Sequence, residues 1–139
     1  MGKVFLGGTC NNSAWRERLI DMLDPAVQYF NPVVEDWTEE HRLKEIEERE
    51  KASVLLYVIS PLMTGVYSVA EAASDSVKHP EKTIFCVLDR DIDPEGKVVN
   101  FTELQWKSLE ATKELIKTNG GTVASSLVNV AMRLNTLYN

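Results

Sequence analysis

The sequence has few cysteines and no long apolar run, and each shortage excludes a class of protein. Cys10 and Cys86 are the only cysteines among 139 residues, which is too few for a disulfide framework or a structural zinc site. We therefore expect a reducing, cytoplasmic location. No stretch approaches the roughly 18 apolar residues that a membrane span requires, so we expect no membrane partner.

Basic residues are also scarce. The formal net charge is −6, and no cluster of Lys or Arg exceeds two adjacent residues. Binding to a nucleic-acid backbone depends on a basic face that displaces counterions. We therefore expect no nucleic-acid partner.

Several catalytic signatures are missing as well. After Gly7-Gly8-Thr9 the dinucleotide pattern G-x-G-x-x-G fails, because Cys10 and Asn12 occupy the later glycine positions, and no Walker lysine follows. No serine has the G-x-S-x-G setting of a serine hydrolase. No His, Cys or Asp cluster has the spacing of metal ligands. The sequence therefore indicates no cofactor and no metal.

Short apolar runs alternate with helical patterns, which is typical of βαβ units and a parallel sheet. The length is that of one ordinary domain, so we assign residues 1–139 to a single Rossmann-like (flavodoxin-like) α/β domain. Right-handed crossovers predict a five-stranded parallel sheet of order 2-1-3-4-5 with helices on both faces. The predicted strands cover residues 4–6, 27–30, 53–59, 83–88 and 122–124, and five helices and an acidic loop (89–100) connect or follow them.

Ligands of such sheets bind outside the carboxyl ends of the strands where the strand order reverses, here between the first and third strands. Gly7, Gly8 and Thr9 follow the first strand. The glycines would let a ligand approach the backbone, or they would only form a tight turn. The charged run 45–51 is interpreted as a solvated helix face.

Glu71 follows the central strand and has two interpretations. In one, the carboxylate faces the cleft near a helix N-terminus and attacks the anomeric carbon of a sugar. In the other, Ser68-x-x-Glu71 is a capping box that closes the helix start. Spacing alone favours the cap. Asp36 and Trp37 lie beside the same cleft, where Trp37 would stack on a base or cover the core, and Tyr67 would offer a hydroxyl or pack.

Four segments of the chain carry a resemblance to a known family: residues 4–9 (VFLGGT), 29–38 (YFNPVVEDWT), 56–61 (LYVISP) and 64–71 (TGVYSVAE). They are similar to a nucleoside 2-deoxyribosyltransferase-like family, whose members share a five-stranded Rossmann-like sheet. The resemblance implies that Glu71 is the family's glutamate nucleophile, with helix capping as a compatible second role. It further implies a substrate site formed by Gly7, Gly8, Thr9, Asp36, Trp37, Gly65 and Tyr67.

The chain departs from the family pattern at two positions. Ser53 stands where well-studied transferases carry an aspartate that assists proton transfer to the leaving base. Phe5 stands where many carry a tyrosine. We take Asp36 as a hypothesis for the missing acid.

The resemblance implies N-glycosyl transfer or hydrolysis on 2′-deoxynucleosides through a covalent glycosyl-glutamate, with a nucleoside and a free base as partners. A non-catalytic module that binds a nucleoside or nucleotide is the alternative, and an interaction protein with a vestigial cleft is a third. A homo-oligomer is compatible with each of these.

Overall fold

A computed structural model describes residues 1–139. Five parallel strands form the main sheet: β1 (Val4–Gly8), β2 (Tyr29–Phe30), β3 (Val54–Ile59), β4 (Thr83–Val87) and β7 (Thr122–Ala124). Their order is β2-β1-β3-β4-β7, which confirms the predicted order with the fifth predicted strand as β7. The remaining two strands, β5 (Arg90–Ile92) and β6 (Val98–Asn100), form a separate antiparallel hairpin.

Five helices connect or follow these strands, as expected. They are α1 (Trp15–Asp21), α2 (Glu39–Lys51), α3 (Tyr67–Lys78), α4 (Glu103–Thr118) and α5 (Leu127–Tyr138), and a 3-10 turn covers Pro80–Lys82. None of the helices combines the length and the apolar character that a membrane crossing requires.

The hydrophobic core has two parts, one on each face of the sheet. Every residue of β3 is buried, and alternate side chains point to opposite faces. On one face Leu56 and Val58 pack in a cluster with residues of α1 and α5. On the other, Leu55 and Tyr57 pack in a cluster with residues of α3 and α4. The second face carries the candidate site described below.

The segment 89–100 is a hairpin and not the loop that the sequence predicts. Asp91 of β5 holds it in place: its buried carboxylate accepts hydrogen bonds from the hydroxyls of Ser13 (2.6 Å) and Ser60 (2.5 Å) and pairs with Arg18 at 3.2 Å. Burial acts against ionisation, but the hydrogen bonds from the two serines and the Ile92 backbone, together with the charge of Arg18, outweigh it and lower the pKa of Asp91. The hairpin is thereby tied to the loops that follow β1 and β3.

Side chains cap some helix starts and not others. Thr102 and Gln105 form a capping box at the start of α4. Ser126 is the N-cap of α5, and its hydroxyl accepts a hydrogen bond from the Asn129 backbone. Ala14 is the N-cap of α1 and makes no capping bond; the preceding Ser13 hydroxyl donates to Asp91 and accepts from the Trp15 backbone.

Gly8 ends β1 in a conformation that only glycine tolerates well. Its φ is +123°, and a Cβ there would lie 2.1 Å from the carbonyl oxygen of Val58 on β3. We expect Gly8→Ala to lower the free energy of unfolding by at least about 2 kcal/mol. Gly96→Ala is the matched control, since Gly96 also has a positive φ (+85°) but open space around it. Urea titrations of both variants measure the difference; equal losses would contradict the steric argument.

Candidate active site

A cavity of about 650 Å³ opens at the carboxyl end of β1, on the sheet face covered by α2 and α3. Its volume is in the range of small-molecule sites. The walls come from the end of β1, the loop between β2 and α2, one face of α2 and the first two turns of α3. The cavity therefore lies beside β1 and next to the reversal of strand order between β1 and β3, where the sequence predicts a site.

Five of the predicted site residues line this cavity together: Gly7, Gly8, Trp37, Tyr67 and Glu71. Trp37 and Tyr67 are 57% and 74% exposed, so both aromatic rings are available to a ligand instead of covering the core. The two glycines have a structural reason as well, because a side chain at either would collide with β3.

The other three predicted residues lie elsewhere. Thr9 is buried, and its hydroxyl accepts a hydrogen bond from the Ser60 backbone at 2.9 Å. Thr9 and Gly65 line a smaller cavity of about 230 Å³, which shares Gly8 and Tyr67 with the first. Asp36 lines neither cavity.

Glu71 lies in the second turn of α3. The N-cap of this helix is Val66, and no side chain caps it, so the capping box of Ser68 and Glu71 is not formed and that interpretation is wrong. The Glu71 side chain is only 10% exposed, and its Oε2 lies 3.4 Å from Nη1 of Arg49 on α2. The carboxylate is thus free of the backbone and lies in the wall of the cavity.

Arg49 joins Glu71 to a second carboxylate. Its guanidinium donates from Nε and Nη2 to both oxygens of Asp75, at 3.1 and 2.9 Å, and from Nε to the Tyr57 hydroxyl at 3.0 Å. Tyr57 in turn donates to Asp75 Oδ2 at 2.5 Å. Burial raises the pKa of Tyr57, and its bond to Asp75 raises it further, so the phenol stays protonated. The guanidinium is therefore fixed in direction, and its Nη1 forms an ion pair with the Glu71 carboxylate.

Burial raises the pKa of Glu71 to about 7; Arg49 opposes this shift, and the nearby negative charges of Glu45 and Asp75 add to it. A carboxylate with a pKa near neutrality titrates in the range where enzymes adjust their acids, bases and nucleophiles. Near pH 7 Glu71 exists in both protonation states.

Arg16 on α1 lines the cavity and binds backbone carbonyls at the end of β1. The guanidinium is buried and donates to the carbonyl oxygens of Leu6 (2.9 Å from Nη2), Thr9 (2.7 Å from Nη1) and Gly8 (3.3 Å from Nη2). These carbonyls belong to the end of β1 and the residue after it. A buried cation with three carbonyl partners stabilises this loop conformation.

Glu45 and Arg49 line the cavity from α2, which corrects the interpretation of 45–51 as a wholly solvated face. Glu45, Arg49 and Asp75 are absent from the predicted site. One available signal was spacing: Glu45 and Arg49, like Glu71 and Asp75, are four residues apart and therefore share one helix face.

The two departures from the family pattern lie in different places. Phe5 lines the cavity, is buried, and stacks on Phe30 with ring centroids 6.1 Å apart. Ser53 precedes β3 and lies at the amino end of the strands, whereas the cavity lies at their carboxyl end. Its hydroxyl accepts a hydrogen bond from the Gly2 backbone at 2.7 Å. Ser53 is therefore outside the candidate site.

No group of three or more His, Cys, Asp and Glu side chains has an arrangement that could hold a metal ion. The charged groups at the centre of the site are the Glu71 and Glu45 carboxylates and the Arg49 guanidinium.

The fold and the site define a Rossmann-like α/β protein with a carboxylate–arginine cleft beside its first strand. The chain belongs to the nucleoside 2-deoxyribosyltransferase like family, whose model matches residues 2–90. The match includes β1 to β4 and every residue that lines the larger cavity. A comparison with curated proteins gave no match.

Proposed function

We propose that the protein cleaves the N-glycosidic bond of 2′-deoxynucleosides, with Glu71 as the nucleophile that forms a covalent deoxyribosyl intermediate. The observation that carries this proposal is the Glu71 carboxylate itself. It is nearly buried, makes no capping bond, is oriented by Arg49, and lines a cavity of nucleoside size.

In the first step an ionised Glu71 oxygen attacks C1′, the C1′–N bond breaks, and its electron pair leaves with the base. In the second step a different base, or water, attacks C1′ and releases Glu71. Transfer to a base gives ping-pong kinetics, whereas attack by water gives free deoxyribose. Arg49 is a positioning residue: it holds the Glu71 oxygen and favours its ionised form.

The cavity walls favour an uncharged nucleoside over a nucleotide. Three arginines line the cavity, but each already has oxygen partners in the protein. Arg16 binds backbone carbonyls, Arg42 pairs with Glu39, and Arg49 pairs with two acids of α3. Apolar and aromatic side chains of the loop before α2, Val33, Val34 and Trp37, offer a surface for a base.

The test is base exchange. The purified protein is incubated with deoxyinosine and adenine, together and singly, and bases and nucleosides are separated by chromatography. We expect new deoxyadenosine from the wild type, none from Glu71→Ala, and an unchanged yield from Glu47→Ala, which alters an exposed acid of α2 outside the cavity. Hypoxanthine release without adenine would assign hydrolysis.

A panel of deoxynucleosides and their monophosphates with no turnover would overturn the enzymatic proposal. If these compounds then raised the melting temperature without being consumed, the protein would be a nucleoside-binding module instead.

A further inference from the structure

Glu45 forms no ion pair, unlike three other acids of α2. Glu39, Glu47 and Glu48 each have a Lys or Arg partner within 4 Å. Glu45 has none and makes no hydrogen bond, although it is partly buried and lines the cavity. No buried side-chain oxygen lacks a partner in this protein, so the unpaired Glu45 oxygens keep some contact with solvent.

Glu45 also shares an environment with Glu71. It precedes Arg49 by four residues, about 6 Å along α2, and Arg49 in turn contacts Glu71. Burial raises the pKa of Glu45, and the positive charges of Arg49 and Arg16 act against this. The other charged groups that line the same cavity are Arg42 on α2, Glu35 in the preceding loop, and Glu71 on α3.

We propose that Glu45 is the general acid that protonates the base as it leaves, the role for which the sequence suggested Asp36. This inference rests on the proposed glycosyl chemistry at Glu71. The Glu71 oxygen bonds to C1′, the C1′–N electron pair moves onto the base, and the base takes the Glu45 proton. In the second step, the ionised Glu45 removes a proton from the incoming base or water.

The rival acids are less well placed. Asp36 lines neither cavity, and its backbone carbonyl lies 2.8 Å from the His41 ring nitrogen at the start of α2. Glu35 lines the cavity but is exposed to solvent. Glu45 is the remaining cavity carboxylate apart from the nucleophile.

The test compares two leaving groups. Hypoxanthine from deoxyinosine needs a proton as it departs, whereas 7-methylguanine leaves 7-methyl-2′-deoxyguanosine as a neutral base without one. We expect Glu45→Gln to lower kcat/KM for deoxyinosine on the order of 10²-fold to 10⁴-fold, the usual contribution of a general acid. For the methylated substrate we expect a change of less than about fivefold. Glu71→Gln should lose both activities.

The pH profile gives a second readout that a purely structural role would not move. The wild-type rate for deoxyinosine should fall as rising pH removes the Glu45 proton, and this limb of the profile should be absent from Glu45→Gln and from the methylated substrate. Glu47→Gln, on the exposed side of the same helix, should keep both the rate and the limb.

Equal losses for the two substrates in Glu45→Gln would overturn the acid assignment and leave Glu45 a positioning residue. A selective loss in Asp36→Asn instead would transfer the role to Asp36. Wild-type protein that cleaves neither substrate would overturn the proposed function itself, and that result is distinct from both of the others.

Discussion

Replacing Glu71 with glutamine is expected to abolish base exchange and, at pH 8, to make the folded protein more stable. Glutamine has nearly the same shape but cannot act as an anionic nucleophile, so we expect a loss of kcat of at least about 10³-fold. The gain in stability follows from the burial of Glu71, whose side chain is 10% exposed. Removing a poorly solvated charge stabilises the folded state.

The sign of the effect follows from the two pKa values. The pKa of Glu71 is about 7 in the folded protein and has an ordinary value of 4.5. Below pH 4.5 the Glu71 carboxyl is protonated in the folded and the unfolded state, so it does not lower the free energy of unfolding. Between these values the folded state holds the proton more tightly, so its stability declines as the pH rises through about 7. Partial solvation reduces the full effect, and we expect a difference of about 1–3 kcal/mol above pH 7.

The measurement is urea unfolding of wild type and Glu71→Gln at pH 4 and pH 8. The two proteins should have similar stability at pH 4, and the variant should be more stable at pH 8. Asp75→Asn is the control on the same face of α3, since Asp75 receives hydrogen bonds from Arg49 and Tyr57. That variant should be less stable at pH 8. A loss of stability in Glu71→Gln at pH 8 would show that its pair with Arg49 outweighs its burial.

The sheet could be predicted because its signals are local. An apolar run of six buried residues marks β3, and the handedness of crossovers orders the strands around it. The hairpin β5–β6 could not be predicted in this way, because it is not held by apolar burial. It depends on Asp91, whose partners Ser13 and Ser60 are distant in the sequence.

The candidate site, too, could be predicted from the sequence only in part. The position of Glu71 follows from the topology and from the family resemblance. The network of Arg49, Tyr57 and Asp75 joins three elements, and only tertiary packing brings them together. A charged helix such as α2 resembles a solvated one in sequence, because nothing local shows that one of its faces meets a cavity. The homo-oligomer and the cytoplasmic location stay predictions.

Arg49→Met is expected to cause a large loss of stability. It removes a guanidinium that is 26% exposed and leaves Asp75, 5% exposed, without a positive partner. Breaking a buried ion pair on one side costs about 3–5 kcal/mol, because the remaining charge stays desolvated. The partial exposure of Arg49 reduces this, so we expect a loss of about 2–4 kcal/mol in free energy of unfolding.

The same substitution should also change the pH dependence of the reaction. Arg49 is the cation that opposes the rise in the pKa of Glu71, so without it that pKa should rise further above 7. The acidic limb of the rate profile should therefore move to higher pH. Arg49→Lys keeps a positive charge but loses the paired contacts with Asp75, and we expect an intermediate shift and an intermediate stability.

Arg42→Met is the matched control, because Arg42 pairs with the exposed Glu39 at the start of the same helix. That variant should lose no more than about 1 kcal/mol, as exposed pairs do. Adding Asp75→Asn to Arg49→Met should restore part of the lost stability, since the orphaned charge is removed as well. If the double variant were as unstable as the sum of the two single ones, the two residues would act independently. The cleft would then not depend on their ion pair to hold Glu71 in place.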